Sequence, residues 1–344
     1  MKAATALVLV LLSARASAEP VRIRMATVAP EGSSWAHEFH TLAREIESAT
    51  RGEVQIKWYL GGIAGDEVAS LERVRRGQLD GVAGAMFCDR LAPSIRIGRV
   101  IGLFQSREEW QYVMNRLIPQ LDQEFNRSGF VDLGLGSFGD IMFFSRHPIR
   151  TFDELKATRF WSYDLDEMTT SLMRMMGIDV VPMPLDAASH AYDEGKVDGF
   201  ISTPTAALAF QWSARARYLS DLTAAELPGC IVMTERVMDM LTLEQRRIVI
   251  DATAKFAERF RELGRMQDDE LLGGLFERQG LHRSLADASL RAGFLAASRA
   301  ARDKLAPHLV PHALLARTLG WLADYRSEHA DDGATSAPPP ASKH

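Results

Sequence analysis

Three tripeptides carry the side chains best suited to holding a small molecule: Trp161-Ser162-Tyr163, Pro182-Met183-Pro184 and Ser202-Thr203-Pro204. They combine aromatic faces, hydroxyls that donate and accept hydrogen bonds, and stiff backbone. Catalytic chemistry has no comparable footing. G-x-S-x-G, H-E-x-x-H, P-loop and C-x-x-C patterns are all missing from the sequence, and no nucleophile, base and oxyanion donor assemble from its motifs. Gly134, Gly136 and Gly139 match G-x-G-x-x-G. A strand-like run, Ile141–Phe144, follows where dinucleotide binding needs a helix N-terminus. His37 and His40 share a helix face without a further ligand at metal spacing, and Pro311 breaks the geometry of His308 and His312. Met168, Met173, Met175 and Met176 read as helix core with adaptable packing. What remains is non-covalent binding, with no cofactor and no metal expected.

The elements that must position these groups follow from hydrophobic periodicity. Apolar runs at Thr158–Trp161, Asp179–Val181 and Val197–Ile201 alternate with helical patterns, the mark of β-α-β units and a largely parallel sheet. Each tripeptide lies at the end of one run. Ligands of open α/β sheets bind outside the carboxyl ends of the strands, so the three loops form half of a cleft. The other half is announced by an internal repeat. Arg75–Val82 (R-R-G-Q-L-D-G-V) and Asp193–Phe200 (D-E-G-K-V-D-G-F) share helix end, Gly, polar, apolar, Asp-Gly and strand. The first Gly suits a left-handed helix cap and the second a tightly packed strand entry.

Further strands are expected at Val21–Ala26, Val54–Leu60, Leu79–Met86 and Phe130–Leu135, with the glycine-rich segment after Leu135 as an interdomain crossing. Tyr218–Leu222 and Cys230–Met233 read as a return to the first lobe. A helix beginning at Thr242 and passing Met266 towards Phe276 is long enough to span both lobes, and Ala286–Leu305 and Leu314–Ser327 are further helices. The expected architecture is two-lobed α/β, each lobe a mostly parallel sheet flanked by helices. Lobe I takes residues 19–138 and 214–250, and lobe II takes residues 139–213 and 251–327. Residues 328–344 form a Pro-rich, disordered tail.

Residues 1–18 have the pattern of a secretion signal: Lys2, an apolar Ala6–Leu12 and Ala16-Ser17-Ala18 before Glu19. Its removal, with Lys2 and Arg15, would take the formal net charge from −5 to −7. That balance gives no electrostatic reason to expect nucleic acid or an anionic membrane as a partner. An exported chain allows a disulfide between Cys88 and Cys230, and burial as two small apolar residues is the alternative.

The motifs T-F-D-E-L-K-A, G-x-x-x-V-P-M-P and G-K-V-D-G between Thr151 and Gly199 resemble the second lobe of the extracytoplasmic solute receptors of TRAP-type (tripartite ATP-independent periplasmic) transporters. M-A-T-V-A-P-E-G-S, L-G-G-I-A-G-D-E, G-Q-L-D-G and V-M-D-M-L-T-L-E-Q-R resemble the same family in the same order, from about Val21 to Glu277. The resemblance implies a periplasmic receptor that closes on a small molecule and delivers it to integral-membrane permease subunits, with no enzymatic step. It also implies an arginine on the first strand of the second lobe that forks onto a ligand carboxylate. Laid without gaps on Leu155–Ser162, that position is Trp161. A second basic position falls near Ile141, and Ala85 stands where a polar group would be expected. Three apolar replacements point to an apolar or aromatic ligand, since a carboxylate buried beside them would cost several kcal/mol. An organic acid held by Arg159 is the alternative. The other candidate binding residues are Ser202 and Thr203, in place of the family's Asn, and Glu31, Trp35, Asp66 and Leu185. A ligand-sensing module for a signalling partner and a secreted enzyme on the same fold are the rival functions.

Overall fold

The computed structural model describes residues 19–329. The expected secretion signal and all but the first two residues of the expected tail lie outside the described residues. Among the described residues nine strands form one sheet: β1 (Val21–Ala26), β2 (Val54–Tyr59), β3 (Gly81–Gly84), β4 (Phe130–Ser145), β5 (Phe160–Tyr163), β6 (Val180–Met183), β7 (Gly199–Ser202), β8 (Tyr218–Thr234) and β9 (His282–Ser284). Their order is β2-β1-β3-β8-β4-β7-β5-β6, with β9 on β8. At one end β2, β1 and β3 run parallel, and at the other β6, β5 and β7 do. Between them β4 and β8 run antiparallel to each other through both halves, from Phe130 opposite Thr234 to Ser145 opposite Tyr218.

This corrects two expectations. Phe130–Leu135 and Ile141–Phe144 are one strand, and the glycines between them stay within it. Register irregularities at Asp132/Gly134 and Ser137/Asp140 absorb the distortion that a loop would otherwise have taken. Tyr218–Leu222 and Cys230–Met233 are likewise one strand. Its first part pairs with the far end of β4 and with β9, so only the Cys230–Met233 part joins the half containing β1–β3.

The sequence repeat is a structural repeat. Gly77 and Gly195 take φ of +71° and +72° after their helices, a conformation open to Gly at little cost. A Cβ on Gly81 would strike the Val232 carbonyl of β8, and one on Gly199 would strike the Phe144 carbonyl of β4. The ion pairs repeat as well. Arg24 donates from Nε to Asp80 at 2.8 Å and from Nη2 to the Gly77 carbonyl at 2.9 Å. Arg159 donates from Nε to Asp198 at 3.1 Å and from Nη2 to the Gly195 carbonyl at 2.9 Å.

The long helix, Leu243–Glu270, starts from a Thr242–Gln245 capping box. It continues through a π-helical turn, Leu271–Leu275, to Phe276–Arg278. Phe256 and Phe260 pack on Phe39 with ring centroids 5.5 and 5.9 Å apart, joining this helix to the helix Ser34–Ala49. The last two helices, Ala288–Leu309 and His312–Glu328, cover the other face, where Arg326 forks onto Glu109 at 2.6 and 2.7 Å. Glu328 still belongs to that final helix, so the expected tail begins too early.

Cys88 and Cys230 form a disulfide between the turn after β3 and β8, both residues being buried. Of the two alternatives open in the sequence, the bridge is the one realised. It closes a span of 142 residues, and long closed loops remove much entropy from the unfolded chain. Reduction should lower the free energy of unfolding by about 2–5 kcal/mol, read as a lower urea midpoint in the presence of reductant. An unchanged midpoint would mean that the bridge adds no constraint.

Candidate functional site

A cavity of about 120 Å³ lies at the carboxyl ends of the parallel strands of both halves. Thr27–Ala29 after β1 and Gly84–Met86 at the end of β3 form one wall; Trp161–Tyr163 of β5, Leu185 after β6, and Ser202 and Thr203 of the β7 turn form the other. Phe138 and Ile141 of β4 and Leu227 of β8 close it where the two paired strands pass from one half to the other. A larger groove of about 740 Å³ runs between the helix Arg107–Arg127 and the long helix. It is lined by the middle of β4, Pro228 of β8 and two helices rather than by strand ends, so the smaller cavity is the better candidate.

Seven of the ten expected residues line this cavity: Trp35, Ala85, Ile141, Trp161, Leu185, Ser202 and Thr203. Trp161 is 2% exposed, and its indole N–H donates to the Met183 carbonyl at 3.1 Å. Its ring packs on Trp212 at 4.8 Å, and Trp212 stacks on Phe210 at 5.0 Å. Trp35 meets Phe138 edge-on at 5.4 Å. The two hydroxyls are partly engaged: Ser202 donates to the Thr203 carbonyl, and Thr203 Oγ1 accepts the Ala206 N–H as the cap of the helix Pro204–Ala209.

Arg159, Glu31 and Asp66 stand elsewhere. Arg159 precedes β5, at the end away from the cleft, and its half-exposed side chain is held by Asp198. Arg24 makes the same contacts in the other half, so the Arg159 pair repeats a clasp on the Asp-Gly turn. Glu31 pairs with His40 on the surface at 3.1 Å. Asp66 accepts the Ala69 N–H at 2.7 Å as a helix N-cap, which uses its carboxylate.

The carboxylate that enters the cavity is the next one, Glu67. It is 4% exposed, and its Oε2 accepts the N–H groups of Ala85, Met86 and Phe87 at 3.0, 2.6 and 3.2 Å. Burial pushes Glu67 up to about 7; the three N–H groups and the Arg99 charge offset only part of that rise. Arg99, 1% exposed, lies behind the wall. It donates to Asp89 at 2.6 Å and to the cavity-lining Asp166 at 3.2 Å. Among the described residues, no Lys, Arg or His lines the cavity, whereas Glu67 and Asp166 do. Tyr163, of the Trp161-Ser162-Tyr163 loop singled out in the sequence, also lines the cavity, and Phe138, Phe210 and Trp212 join the lining without having been expected there. Of the unexpected residues Glu67 alone had a usable signal: with Asp66 capping the helix, the following carboxylate is the one free to reach the open N–H groups after β3.

The comparisons with known proteins carry the family. The model of bacterial extracellular solute-binding protein family 7 (DctP) matches residues 25–305. The chain belongs to that family. It is one of binding proteins rather than enzymes, so the secreted-enzyme alternative falls. This DctP-family chain is 22% identical over 214 residues to an uncharacterized protein, YiiZ, of Salmonella typhimurium; the match spans 61% of this chain and 65% of that relative. The Bordetella pertussis receptor DctP7, which binds pyroglutamic acid, superposes with a TM-score of 0.78 at 19% identity, covering 88% of this chain and 99% of that one. A TRAP periplasmic solute-binding protein of Desulfovibrio desulfuricans with bound sn-glycerol-3-phosphate gives 0.81 at 18% identity, covering 93% and 100%. The likeness fixes the two-lobed α/β fold.

A second acidic group lies at the strand crossing. Asp140 of β4, Glu226 of β8 and Asp268 of the long helix surround Arg107, which reaches Asp140 at 3.5 Å and Glu226 at 3.9 Å. Burial pushes Glu226 up to about 7 and Asp268 to about 6. Together with Glu67 these groups stay protonated in the fold at pH values where the unfolded chain has released its protons. The native state therefore binds more protons between about pH 4 and 7, and stability must fall as pH rises through that interval. Urea unfolding from pH 5 to 8 should show this decline. Glu226→Gln should flatten it by on the order of 1–3 kcal/mol. Stability that is level or rising from pH 5 to 8 would contradict the assignment.

Proposed function

We propose that this chain is a periplasmic solute receptor that captures a small apolar or aromatic molecule and hands it to the membrane subunits of a TRAP-type transporter. One observation carries the ligand class: a cavity walled by Trp35, Phe138, Trp161 and Phe210 without a lining cation. A carboxylate placed there would lose its hydration without a cation to compensate it, at a cost of several kcal/mol. An aromatic body instead gains stacking and burial of apolar area. The alternative of an organic acid on Arg159 is disfavoured by the exposed clasp with Asp198. Export through residues 1–18 and delivery to permease subunits belong to the same reading, and both rest on family membership. Among the described residues no helix is long and apolar enough to cross a membrane, so the transport path itself would be supplied by those subunits.

Calorimetry of the wild type, Trp161→Ala and Arg159→Ala against aromatic, monocarboxylate and dicarboxylate ligands tests this. Aromatic ligands should bind best, and Trp161→Ala should weaken them by about tenfold or more. Arg159→Ala should leave affinity within about twofold and lower stability by no more than about 1 kcal/mol. Dicarboxylate binding that disappears in Arg159→Ala would replace the apolar reading with an acid receptor. Capture by closure about the β4–β8 crossing should also appear in small-angle scattering as a smaller radius of gyration at saturating ligand. Equal dimensions with and without ligand would remove the closure step.

A further inference from the structure

Directly behind the cavity wall, one buried arginine holds carboxylates from both halves. Arg99 ends the short 3-10 helix Pro93–Arg99, which follows β3 and belongs to the first half. Its Nη2 donates to Asp89 at 2.6 Å, in the single helical turn Cys88–Leu91 of the same half. Its Nη1 donates at 3.2 Å to Asp166, which lies between β5 and β6 in the second half. Asp166 Oδ1 also accepts the Thr169 N–H at 3.1 Å, as the cap of the helix Glu167–Met175. Asp166 lines the cavity, and so does Met86, whose Sδ is 3.0 Å from Arg99 Nη1.

Charge explains why this bridge draws on both halves. In the first half Arg96 also donates to Asp89, at 3.0 Å, so two guanidinium groups share one carboxylate. The other first-half acid near Arg99 is Glu67, which burial pushes up to about 7, and below that pH it adds little negative charge. Asp166 supplies the balancing charge, and it comes from across the cleft. Arg99 is almost wholly buried, and its Nε has no partner among the described residues. Without Asp166 this guanidinium would be poorly compensated. Buried ion pairs are weak contributors to stability, and their best-attested use is to favour one arrangement over another.

We infer that Arg99 and Asp166 form a latch between the halves, made when the cleft is closed and broken when it opens. The latch includes no solute atom. It therefore biases closure whatever class of solute the cavity takes, and it stands apart from the apolar-ligand reading. The free protein then samples the closed arrangement, and a solute draws on a population that already exists. Apolar contact runs alongside: Met168 and Leu172 of the Asp166-capped helix share a core with Phe87, Ile95 and Ile97 of the first half. The experiment must separate the two.

Spin labels at Ile63→Cys, in the turn after β2, and Asp186→Cys, after β6, report the width of the mouth in the full exported chain. Both positions are exposed and outside the cavity lining, and the native cysteines are joined to each other. Pulsed electron resonance on solute-free protein should show a short-distance population beside a longer one. Asp166→Asn removes the charge and keeps a good helix cap, and it should cut the short-distance share by about twofold or more. Arg99→Lys keeps the charge but loses the planar fork that serves two carboxylates. It should lower the same share, and it carries the test if Asp166→Asn does not fold. A wild type without the short-distance population would overturn the latch. A short-distance share unchanged by the substitutions would overturn it too, leaving closure to the apolar contact and the solute.

Discussion

Everything in this molecule hangs on the pairing of β4 with β8. Two strands of 16 and 17 residues run antiparallel through both halves, and each half is completed by a parallel set added to an outer edge of that ribbon. β3 docks on β8 and β7 docks on β4, both antiparallel, both entering through a glycine with no room for a side chain. Because the parallel sets attach to opposite edges, their carboxyl ends face one another across the ribbon. The cleft is the space left between them. Its floor is ribbon, which is why Phe138, Ile141 and Leu227 belong to the lining.

A ribbon that crosses between two halves must accept distortion, and here it does so beside buried charge. The irregular register of β4 falls between Asp132 and Phe144, the stretch that also carries Asp140. Glu226, Asp268 and Arg107 gather there, three acids around one base. The cleft repeats the theme, with Glu67 held on three backbone N–H groups. Neither group is what stability alone would select, since burial makes every one of these carboxylates harder to ionise. Their placement at the crossing and at the cavity is what sets them apart from the outward-facing pairs elsewhere.

Much of this was legible in the sequence because it is written in local pattern. Alternating runs marked the parallel strands, and the two Asp-Gly signatures marked equivalent corners of the two halves. The Trp161 loop and the Ser202 loop were found because strand ends are where such folds bind. What was missed depends on contacts across the chain. Asp66 was favoured over Glu67, although only the helix phase decides which of two adjacent acids turns inward. Arg159 looked available because Asp198 is 39 positions away. The glycines of β4 read as a break because an isolated segment with that composition would be one, and only β8 holds it extended. Phe210 and Trp212 follow a short helix whose packing direction no periodicity reveals.

The disulfide has a meaning beyond stability. Cys88 directly follows Phe87, the last of the three residues whose N–H groups grip Glu67, and Cys230 sits on β8. The turn that fixes the cavity's carboxylate is thus sewn to the central ribbon by a bond that a reducing compartment would not keep. The wall of the cavity is tied to the ribbon covalently only in the oxidised protein, so the redox state of its surroundings bears on the turn that carries the three N–H groups.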